Sequence, residues 1–599
     1  MATSRYTAAD KARPLRDLPA SALREALREG YSSADLKRDL LAGVVVGVVA
    51  LPLAMALAIG VGVPPQYGLY TAIVAGLVVA VLGGSRTQVT GPTAAFIVIL
   101  APIYAKFGLA GLLVSGLLGG VLLVAMGLFR LGRLIQFIPH PVTTGFTAGI
   151  ATVIATLQLK DLFGLRLGKD PEHYLERVIA MFDARHTASF YELTIGLLTL
   201  GLLLHLPRVT PRIPAPLVAL PAAAVVAAAL HYVVPGFEVA TIASRFQTSI
   251  DGEVIAGIPQ LPPLPLLPWD AAGPSGQAFE LSFESFRALF SGAIAIAMLG
   301  AIESLLSAVV ADGMARTKHD PDAELISIGI GNIVTPFFGG IPATGAIART
   351  ATNIKAGARS PIAAVVHALT VLAAVLVLAP LLGHLPMASL AALLLLVAWN
   401  MSEAKHFVHT LRVAPKSDVA VLVTCFGLTV GFDMVIGVSV GMMLAAFLFM
   451  RRMAEVTNVQ IADSSVAELT EPIPPGVAVY EISGPLFFGA AQKAMAALEI
   501  VAGQTQVVIL LMQEVHAMDA TGLVALESAL EPLRAHKCLA ILTGVRGQPL
   551  ALLRKASLEA REGVFICAEL KDAVAKAARH VAERPSRRSL PAPAKLPTS

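Results

Sequence analysis

Apolar residues are concentrated between about residues 40 and 450, and both ends of the chain are polar. The chain is 56% hydrophobic and 14% charged, with a mean hydropathy of +0.73, whereas soluble domains carry roughly 25% charged residues. A helix needs about twenty apolar residues to cross a lipid bilayer. Repeated stretches of that length predict a polytopic α-helical membrane protein that contacts lipid along most of its length.

Windows of this length predict fourteen membrane elements in two sets of seven. The first set covers roughly 40–61, 67–82, 92–104, 109–128, 141–159, 191–206 and 216–234. The second covers roughly 287–311, 323–337, 343–354, 360–382, 386–400, 417–431 and 434–450. The third element of each set is short and interrupted, which is the pattern of an inverted duplication.

The two interruptions are Thr90 to Thr93 and Ile341 to Gly345, and each contains a proline. Irregular backbone at membrane depth persists only where it is buried in protein or lines a polar cavity. A half-helix that begins there presents free N–H groups and about half a positive charge. Two such ends facing each other would form an anion site. The alternative interpretation is that each proline merely kinks a packed helix.

Two charged side chains fall inside predicted spans. Arg349 lies about one turn past Gly345, and Glu303 lies in an apolar helix with Ser307 four residues further on the same face. Intramembrane ionisable groups are functional candidates. We expect Arg349 to bind the anion, or else to form a buried ion pair. Glu303 with Ser307 is expected to take up a proton or cation, or else Glu303 simply locks its helix to Arg349.

No other motif predicts chemistry. The three cysteines, Cys425, Cys538 and Cys567, share no metal-ligand spacing, and the chain has no P-loop, nucleophile elbow or zinc motif. We therefore expect no catalytic residue, no cofactor and no metal, and do not predict an enzyme. The net charge of +4 is spread along the chain, so no nucleic-acid partner is expected. The histidines in or near the spans are expected to be structural: His140, His319, His367 and His384.

Basic residues concentrate in alternate short loops and after the last span, where Arg451 and Arg452 stand. The positive-inside rule then places both termini in the cytoplasm. The predicted location is the cell inner membrane, with a cytoplasmic segment at 1–38 and a transmembrane domain at 39–452.

A different composition follows the last span. Buried-strand patterns at Val477 to Ile482 and Val507 to Met512, with amphipathic patterns at Ala490 to Ala502 and Gly522 to Arg534, predict a small cytoplasmic α/β domain over 470–580. The tail at 583–599 is rich in proline, arginine and serine and is predicted to be disordered.

Several stretches resemble the SulP anion transporters, also called solute carrier family 26. They are Gln88 to Ala95, Gly300 to Leu306, Gly331-Asn332, Phe338 to Gly345 and Arg349 to Asn353. The resemblance implies a core and a gate domain, a homodimer and an anion held between the half-helices. It implicates a set of substrate-binding residues: Thr93, Ala94, Thr344, Gly345, Ala346 and Arg349. Glu303 and Ser307 are implicated in coupling.

The soluble domain resembles the STAS domain of these proteins, and Asp519 to Gly522 match the loop before one of its helices. In related STAS folds a hydroxyl residue at the place of Thr521 is phosphorylated, which makes Thr521 a candidate regulatory residue. The alternative for Thr521 is a helix cap.

The substrate prediction rests on resemblance and on charge. Pro52-Leu53 stands where many sulfate carriers of the family have Pro-Gln, and bicarbonate carriers generally lack the arginine found at Arg349. The runs Pro52 to Gly60 and Val397 to Ala404 are similar to those of C4-dicarboxylate carriers. Two helix ends and one arginine supply roughly two positive charges, which suits a divalent anion if Glu303 takes a proton.

The sequence therefore predicts a secondary active transporter for C4-dicarboxylates such as succinate, fumarate or aspartate. It would work by alternating access, coupled to protons or sodium. Three alternatives remain open: a sulfate or bicarbonate transporter of the same fold, an anion channel, and a membrane-tethered signalling scaffold acting through the STAS domain.

Overall fold

The structure is a computed structural model. It describes residues 14, 18–133, 138–168, 171, 174–210, 213–250, 253–273, 279, 282–432, 434–456, 458–461, 473–487, 491 and 505–583. Contacts divide the chain into two compact units, Met1–Met442 and Met443–Ser599.

Helices dominate the first unit. In chain order they are α1 (Ser21–Arg28), α2 (Ser33–Val61), α3 (Pro65–Leu82), α4 (Ile97–Leu128), α5 (His140–Leu162), α6 (Tyr174–Asp183), α7 (Phe190–Val209), α8 (Ala215–Val233), α9 (Ile242–Arg245), α10 (Phe283–Ala315), α11 (Pro321–Val334), α12 (Ile347–Lys355), α13 (Ile362–Leu382), α14 (Met387–Ser402), α15 (Ala404–Val413), α16 (Lys416–Gly431) and α17 (Met434–Val456). Four short strands accompany them: β1 (Thr90–Gly91), β2 (Gln247–Ile250), β3 (Glu253–Ala256) and β4 (Thr344–Gly345).

The predicted membrane elements all correspond to helices. In the described part of the chain, ten helices are long and apolar enough to cross a membrane. The predicted elements 92–104 and 109–128 both fall in α4, which is broken at Gly108 by a non-helical backbone (φ 67°, ψ −166°). Three further predicted elements are the shorter helices α11, α12 and α16.

Sequence reasoning missed the surface helices α6 and α15 and the hairpin β2–β3. Each of them lies between spans and carries charged or polar side chains. A window of twenty residues around it is therefore not apolar enough to be recognised as a membrane span. These elements connect spans and do not alter the predicted order of the membrane helices.

The membrane helices form two bundles. We call the bundle of α2, α3, α4, α10, α11, α12 and α13 the core domain, and the bundle of α5, α7, α8, α14 and α16 the gate domain, because these sets pack mainly within themselves. Glycines allow close crossings in the core. A Cβ built on Gly68 of α3 would lie 2.1 Å from the Ala54 carbonyl oxygen of α2, and one on Gly120 of α4 would lie 2.7 Å from the Gly329 oxygen of α11.

The second unit contains a five-stranded sheet in the order β5 (Asn458–Ile461), β6 (Val477–Ser483), β7 (Val507–Leu511), β8 (Leu539–Thr543) and β9 (Val564–Cys567). Strands β6 to β9 are parallel and β5 is antiparallel to β6. In the described part of this unit, three α-helices accompany the sheet: α18 (Ala520–Ala535), α19 (Gly547–Lys555) and α20 (Leu570–Glu583). Side chains of α18 and α20 are buried in two separate apolar clusters against the strands.

The α/β architecture predicted for this region is confirmed. The predicted strands correspond to β6 and β7, and the predicted helix Gly522 to Arg534 lies within α18. Strands β5, β8 and β9 and helices α19 and α20 were not predicted. The predicted helix Ala490 to Ala502 lies outside the described residues except for Ala491, and so does the predicted tail after Glu583.

Candidate functional site

The two interruptions meet in the core domain. Strand β1 pairs antiparallel with β4, with Thr90 opposite Gly345 and Gly91 opposite Thr344. Each strand belongs to the third element of its set, so antiparallel pairing is the arrangement that an inverted repeat requires. The alternative in which each proline only kinks a continuous helix is wrong, because both breaks are extended backbone.

Each strand leads into the start of a helix. Thr93 has an extended backbone and precedes a 3-10 turn, Ala94–Phe96, that continues into α4. Ala346 likewise precedes α12. First-turn N–H groups have no partner within their own helix, and the strand pairing brings both helix starts together. The turn after Thr93 contacts α5 and α14 of the gate as well as α10 of the core. The helix ends therefore lie at the boundary between core and gate.

Arg349 is buried at this junction. It is 2% exposed, and its Nη2 donates to the carbonyl oxygen of Pro92 beside β1. Its Nε and Nη1 have no hydrogen-bond partner, and no carboxylate in the described part of the chain forms an ion pair with it. A Cβ built on Gly91 would lie 2.3 Å from Nη1, so the absence of a side chain at Gly91 leaves room for the guanidinium. Arg349 therefore forms no salt bridge within the described residues, although the buried carboxylate of Glu303 interacts with its charge.

Glu303 faces the other half-helix. Its Oε2 accepts a hydrogen bond from the Thr93 hydroxyl at 2.8 Å. Glu303 interacts electrostatically with Arg349 across the site but does not touch it. The carboxylate is therefore hydrogen-bonded to the first half-helix, whereas the guanidinium belongs to the second. The alternative in which a salt bridge between Glu303 and Arg349 holds the helix in place is not observed.

Other candidate residues are already engaged within the protein. The Thr344 hydroxyl donates to the Gly300 oxygen of α10 at 3.0 Å, and the Ala346 amide donates to the Val89 oxygen at 2.9 Å. Gly345 is part of the strand pair. The Ser307 hydroxyl donates to the Thr350 hydroxyl at 3.3 Å and does not share a partner with Glu303. These groups hold the two half-helices in place, and Arg349 keeps donors free.

The comparisons with known proteins agree with this geometry. The model of the sulfate permease family matches residues 36–425, and that of the STAS domain matches residues 469–577. The chain belongs to the sulfate permease family. The SulP resemblance is thereby confirmed, and the chain is a membrane anion transporter, not an enzyme.

Known members of this family align with most of the chain. A putative sulfate transporter, YvdB of Bacillus subtilis, is 41% identical over 84% of this chain and 90% of its own length. The bicarbonate transporter BicA of a Picosynechococcus strain is 28% identical over 83% of this chain and 86% of its own. The murine Slc26a9 anion transporter in its inward-facing state shares the fold, with a TM-score of 0.79, 19% identity and coverage of 95% of this chain and 96% of that chain.

In this member of the family, sequence reasoning missed the side chains that brace the strands. Gln88 Nε2 donates to Ser304 Oγ at 2.8 Å and to Glu324 Oε1 at 2.7 Å. Asn332 bonds both the N–H and the oxygen of Ala343 at 2.8 Å. Glu324 could have been found by the signal that identified Glu303, a carboxylate in an apolar helix, but it stands in the first turn of α11 beside other charges. The remaining contacts join residues far apart in sequence.

His367 of α13 also reaches the site. It is fully buried. A Cβ built on Gly76 would lie 3.6 Å from the Thr90 oxygen and 3.7 Å from His367 Nδ1. The ring is therefore a neighbour of the β1–β4 pair, which its isolated position in the sequence did not indicate.

Thr521 belongs to the second unit, in the STAS domain. It is exposed in the first turn of α18, and the cap of that helix is Asp519, whose Oδ1 accepts from the Gly522 amide at 2.7 Å. The helix-cap alternative for Thr521 is therefore wrong. Its regulatory role stays a prediction.

Proposed function

We propose that this protein is a secondary active transporter that carries a small oxyanion, with sulfate as the first candidate, across the cell inner membrane by alternating access. One observation carries the proposal: Arg349 is buried between the two half-helix starts with two donor nitrogens free. A buried guanidinium without a partner is costly in a membrane protein. An oxyanion would accept from these donors and compensate the charge.

The charge of the site favours a divalent ligand. Two helix starts contribute about half a positive charge each and Arg349 contributes one, giving roughly two positive charges. Ionised Glu303 would reduce this to about one. The core–gate boundary supports alternating access, because movement of the core past the gate would expose a site held on core helices to each side in turn.

Sulfate is preferred over the dicarboxylate predicted from sequence. Relatives that cover most of the chain are described as sulfate or bicarbonate transporters, and none of them supports a C4-dicarboxylate. Bicarbonate is the second candidate because BicA is among these relatives. Its single charge fits the site better when Glu303 is ionised, whereas sulfate fits better when Glu303 is protonated.

Glu303 is the proposed coupling group. With Thr93 bonded to one carboxylate oxygen and Arg349 nearby, protonation of Glu303 would change both the charge of the site and the hydrogen bond to the first half-helix. We propose proton symport, in which Glu303 takes up a proton as sulfate binds. Sodium is the alternative coupling ion, and it would require Glu303 to remain ionised.

Two further features belong to the proposal. Charge in the short loops supports cytoplasmic termini. The homodimer implied by the resemblance is proposed for the assembled carrier, although the site described above is built from one chain.

Uptake into liposomes by the purified full chain tests the substrate. Labelled sulfate would be supplied with an imposed proton gradient, an imposed sodium gradient or neither, and succinate, fumarate and bicarbonate would be added as competitors. We expect saturable sulfate uptake that is inhibited by bicarbonate more than by succinate. Uptake of succinate in preference to sulfate would restore the dicarboxylate prediction, and steady unsaturable current in a planar bilayer would indicate a channel.

Substitution Glu303→Gln tests the coupling. The amide keeps a hydrogen-bond acceptor for Thr93 but does not titrate. We expect sulfate exchange across equal concentrations to persist, while accumulation driven by a proton gradient falls about tenfold or more and the external pH dependence of uptake disappears. Gradient-driven accumulation that is unchanged in this variant would contradict proton coupling through Glu303.

A further inference from the structure

A second cavity lies on the core domain, where the segment before α2 meets the ends of α10 and α12. Its volume is about 380 Å³, and three arginines line it: Arg86, Arg316 and Arg359. Arg86 and Thr87 belong to the connection between α3 and β1, so one wall of this cavity leads directly into the strand pair described above.

Two of the arginines form no salt bridge, although Asp35 interacts electrostatically with Arg359. Arg86 is held by Glu29 through two hydrogen bonds of 2.6 Å. Arg316 and Arg359 are exposed, and neither forms an ion pair with a carboxylate in the described part of the chain. The second acidic residue of the lining, Asp35, accepts from the Ser32 amide at 3.1 Å as part of the cap of α2. The cavity therefore keeps available cationic donors.

A buried hydroxyl points to a missing partner. Thr87 is 2% exposed and lines the cavity, and its Oγ1 has no hydrogen-bond partner. A buried polar atom without a partner is destabilising, because it has lost its hydrogen bonds to water. Its own carbonyl oxygen is already used, since it accepts from Asn353 Nδ2 at 2.9 Å. A ligand oxygen that reached this hydroxyl would supply the missing partner.

The wall around Arg359 is held rigidly. Asp39 is fully buried and accepts from the Arg359 amide at 2.6 Å and from the Tyr31 hydroxyl at 2.7 Å. Burial, and then the hydrogen bond to Asp39, raise the pKa of Tyr31 to about 12. Tyr31 therefore stays protonated at physiological pH and keeps donating to Asp39. The backbone that carries Arg359 is fixed before any ligand arrives.

We propose that this cavity is a second anion site, which binds a phosphate-type oxyanion through Arg316 and Arg359, with Thr87 as a further donor. Guanidinium groups and a hydroxyl approaching from different elements suit a group with several acceptor oxygens. Such a group occurs both on free inorganic phosphate and on an anionic lipid. Gly91 stands four positions after Thr87, which places the site within roughly 14 Å of the strand pair. Its existence does not depend on which anion Arg349 carries.

Direct binding of inorganic phosphate to the full chain in phosphatidylcholine nanodiscs tests the site. The double substitution Arg316→Gln and Arg359→Gln should weaken phosphate binding about tenfold or more, because two charge-assisted contacts are lost. Arg412→Gln, which removes an exposed arginine of α15 outside the cavity, should leave binding unchanged. Wild-type affinity in the double variant would overturn the proposal.

Two further variants separate this site from the one at Arg349. Arg349→Gln should leave phosphate binding at the second site intact, whereas loss of all phosphate binding in that variant would show that only the first site exists. Thr87→Val should weaken binding several-fold without lowering the thermal midpoint of unfolding. Unchanged affinity, or a lowered midpoint that accounts for the loss, would show that the hydroxyl has no ligand.

The source of the oxyanion is resolved by changing the lipid. Nanodiscs that contain phosphatidylglycerol would compete with inorganic phosphate at the wild-type site if the cavity takes a lipid headgroup. Unaltered phosphate binding in those nanodiscs would support a free anion. Either result supports an oxyanion site, provided that the double substitution Arg316→Gln and Arg359→Gln abolishes the phosphate binding or the competition by the lipid.

Discussion

Arg349 is a buried charge whose protein partners do not satisfy it. Its single hydrogen bond goes to the Pro92 carbonyl, and two of its nitrogens have no acceptor. A residue retained only for packing would not need this charge, since replacing buried ionic groups by apolar ones of similar volume is often neutral or stabilising. The unsatisfied donors support the proposal that Arg349 binds the anion.

The substitution Arg349→Met tests this interpretation. We expect anion binding to fall at least about tenfold, because the charged donors are removed, and the thermal midpoint to stay equal or rise, because a buried charge without a carboxylate partner is also removed. Equilibrium binding and thermal unfolding in the same detergent measure both. The matched control is Arg412→Met, at an exposed position, which should change neither. A lowered midpoint for Arg349→Met would favour a structural role.

Gly91 provides a second test at the residue scale. A Cβ at Gly91 would lie 2.3 Å from Arg349 Nη1, whereas one at Gly76 meets no atom closer than 3.6 Å. Gly91→Ala should therefore displace the guanidinium and weaken anion binding about tenfold or more, with the protein still folded. Gly76→Ala, beside the same strand pair, should bind as the wild type does. Equal affinities in the two variants would mean that the position of the guanidinium does not matter.

At the scale of elements, the strand pair explains how two broken helices remain stable within the membrane region. Backbone groups that helices would have bonded internally find partners across β1 and β4, and Ala343 is bonded by the Asn332 side chain. Irregular backbone is tolerated at this depth because it is enclosed by protein. The core helices α3 and α10 contact the strands, and close packing in the core depends on small residues.

Gly68 tests that packing. An added Cβ would lie 2.1 Å from the Ala54 carbonyl oxygen, so Gly68→Ala should force α2 and α3 apart. We expect a loss of stability of about 1–3 kcal/mol, seen as a lower thermal midpoint and a smaller monodisperse fraction in size-exclusion chromatography. Gly201 of α7 has no atom within 4 Å of an added Cβ. Gly201→Ala should be neutral or slightly stabilising, since alanine favours helix, and equal losses in both variants would refute the packing argument.

At the scale of the whole molecule, the transport site and the STAS domain belong to separate units. The residues of the site and of the second cavity lie within Met1–Met442, and the STAS sheet lies within Met443–Ser599 with apolar clusters of its own. The candidate site residues named above all come from the first unit.

Truncation after Met453 tests this independence. We expect the shortened protein to bind sulfate with an affinity within about threefold of the full chain, a difference of less than about 1 kcal/mol, because no group of the site is removed. Binding to the purified truncated protein, with the full chain as the reference, measures it. Loss of binding in the truncated protein would contradict the independence of the two units. A second comparison is made in cells that express either form. Loss of the cellular phenotype with binding intact would support the signalling-scaffold alternative.

Local sequence determined the class of the protein and most of its elements. Apolar stretches predicted the membrane helices, because the length and composition of a span are local properties that the bilayer imposes. Glycine, proline and threonine at the two breaks predicted the half-helices, and an arginine and a glutamate at membrane depth identified Arg349 and Glu303. Each of these signals is contained in a window of about twenty residues.

Tertiary structure decided which groups meet. The partner of Glu303 is Thr93, 210 positions away, and Val89 is bonded to Thr350, 261 positions away. Whether Thr344 and Ala346 are free for an anion or engaged within the protein also depends on contacts between distant elements. Such pairings follow from how whole helices pack, and no local pattern encodes them. Composition could therefore predict a buried positive site, but only the fold determines which of its donors remain free.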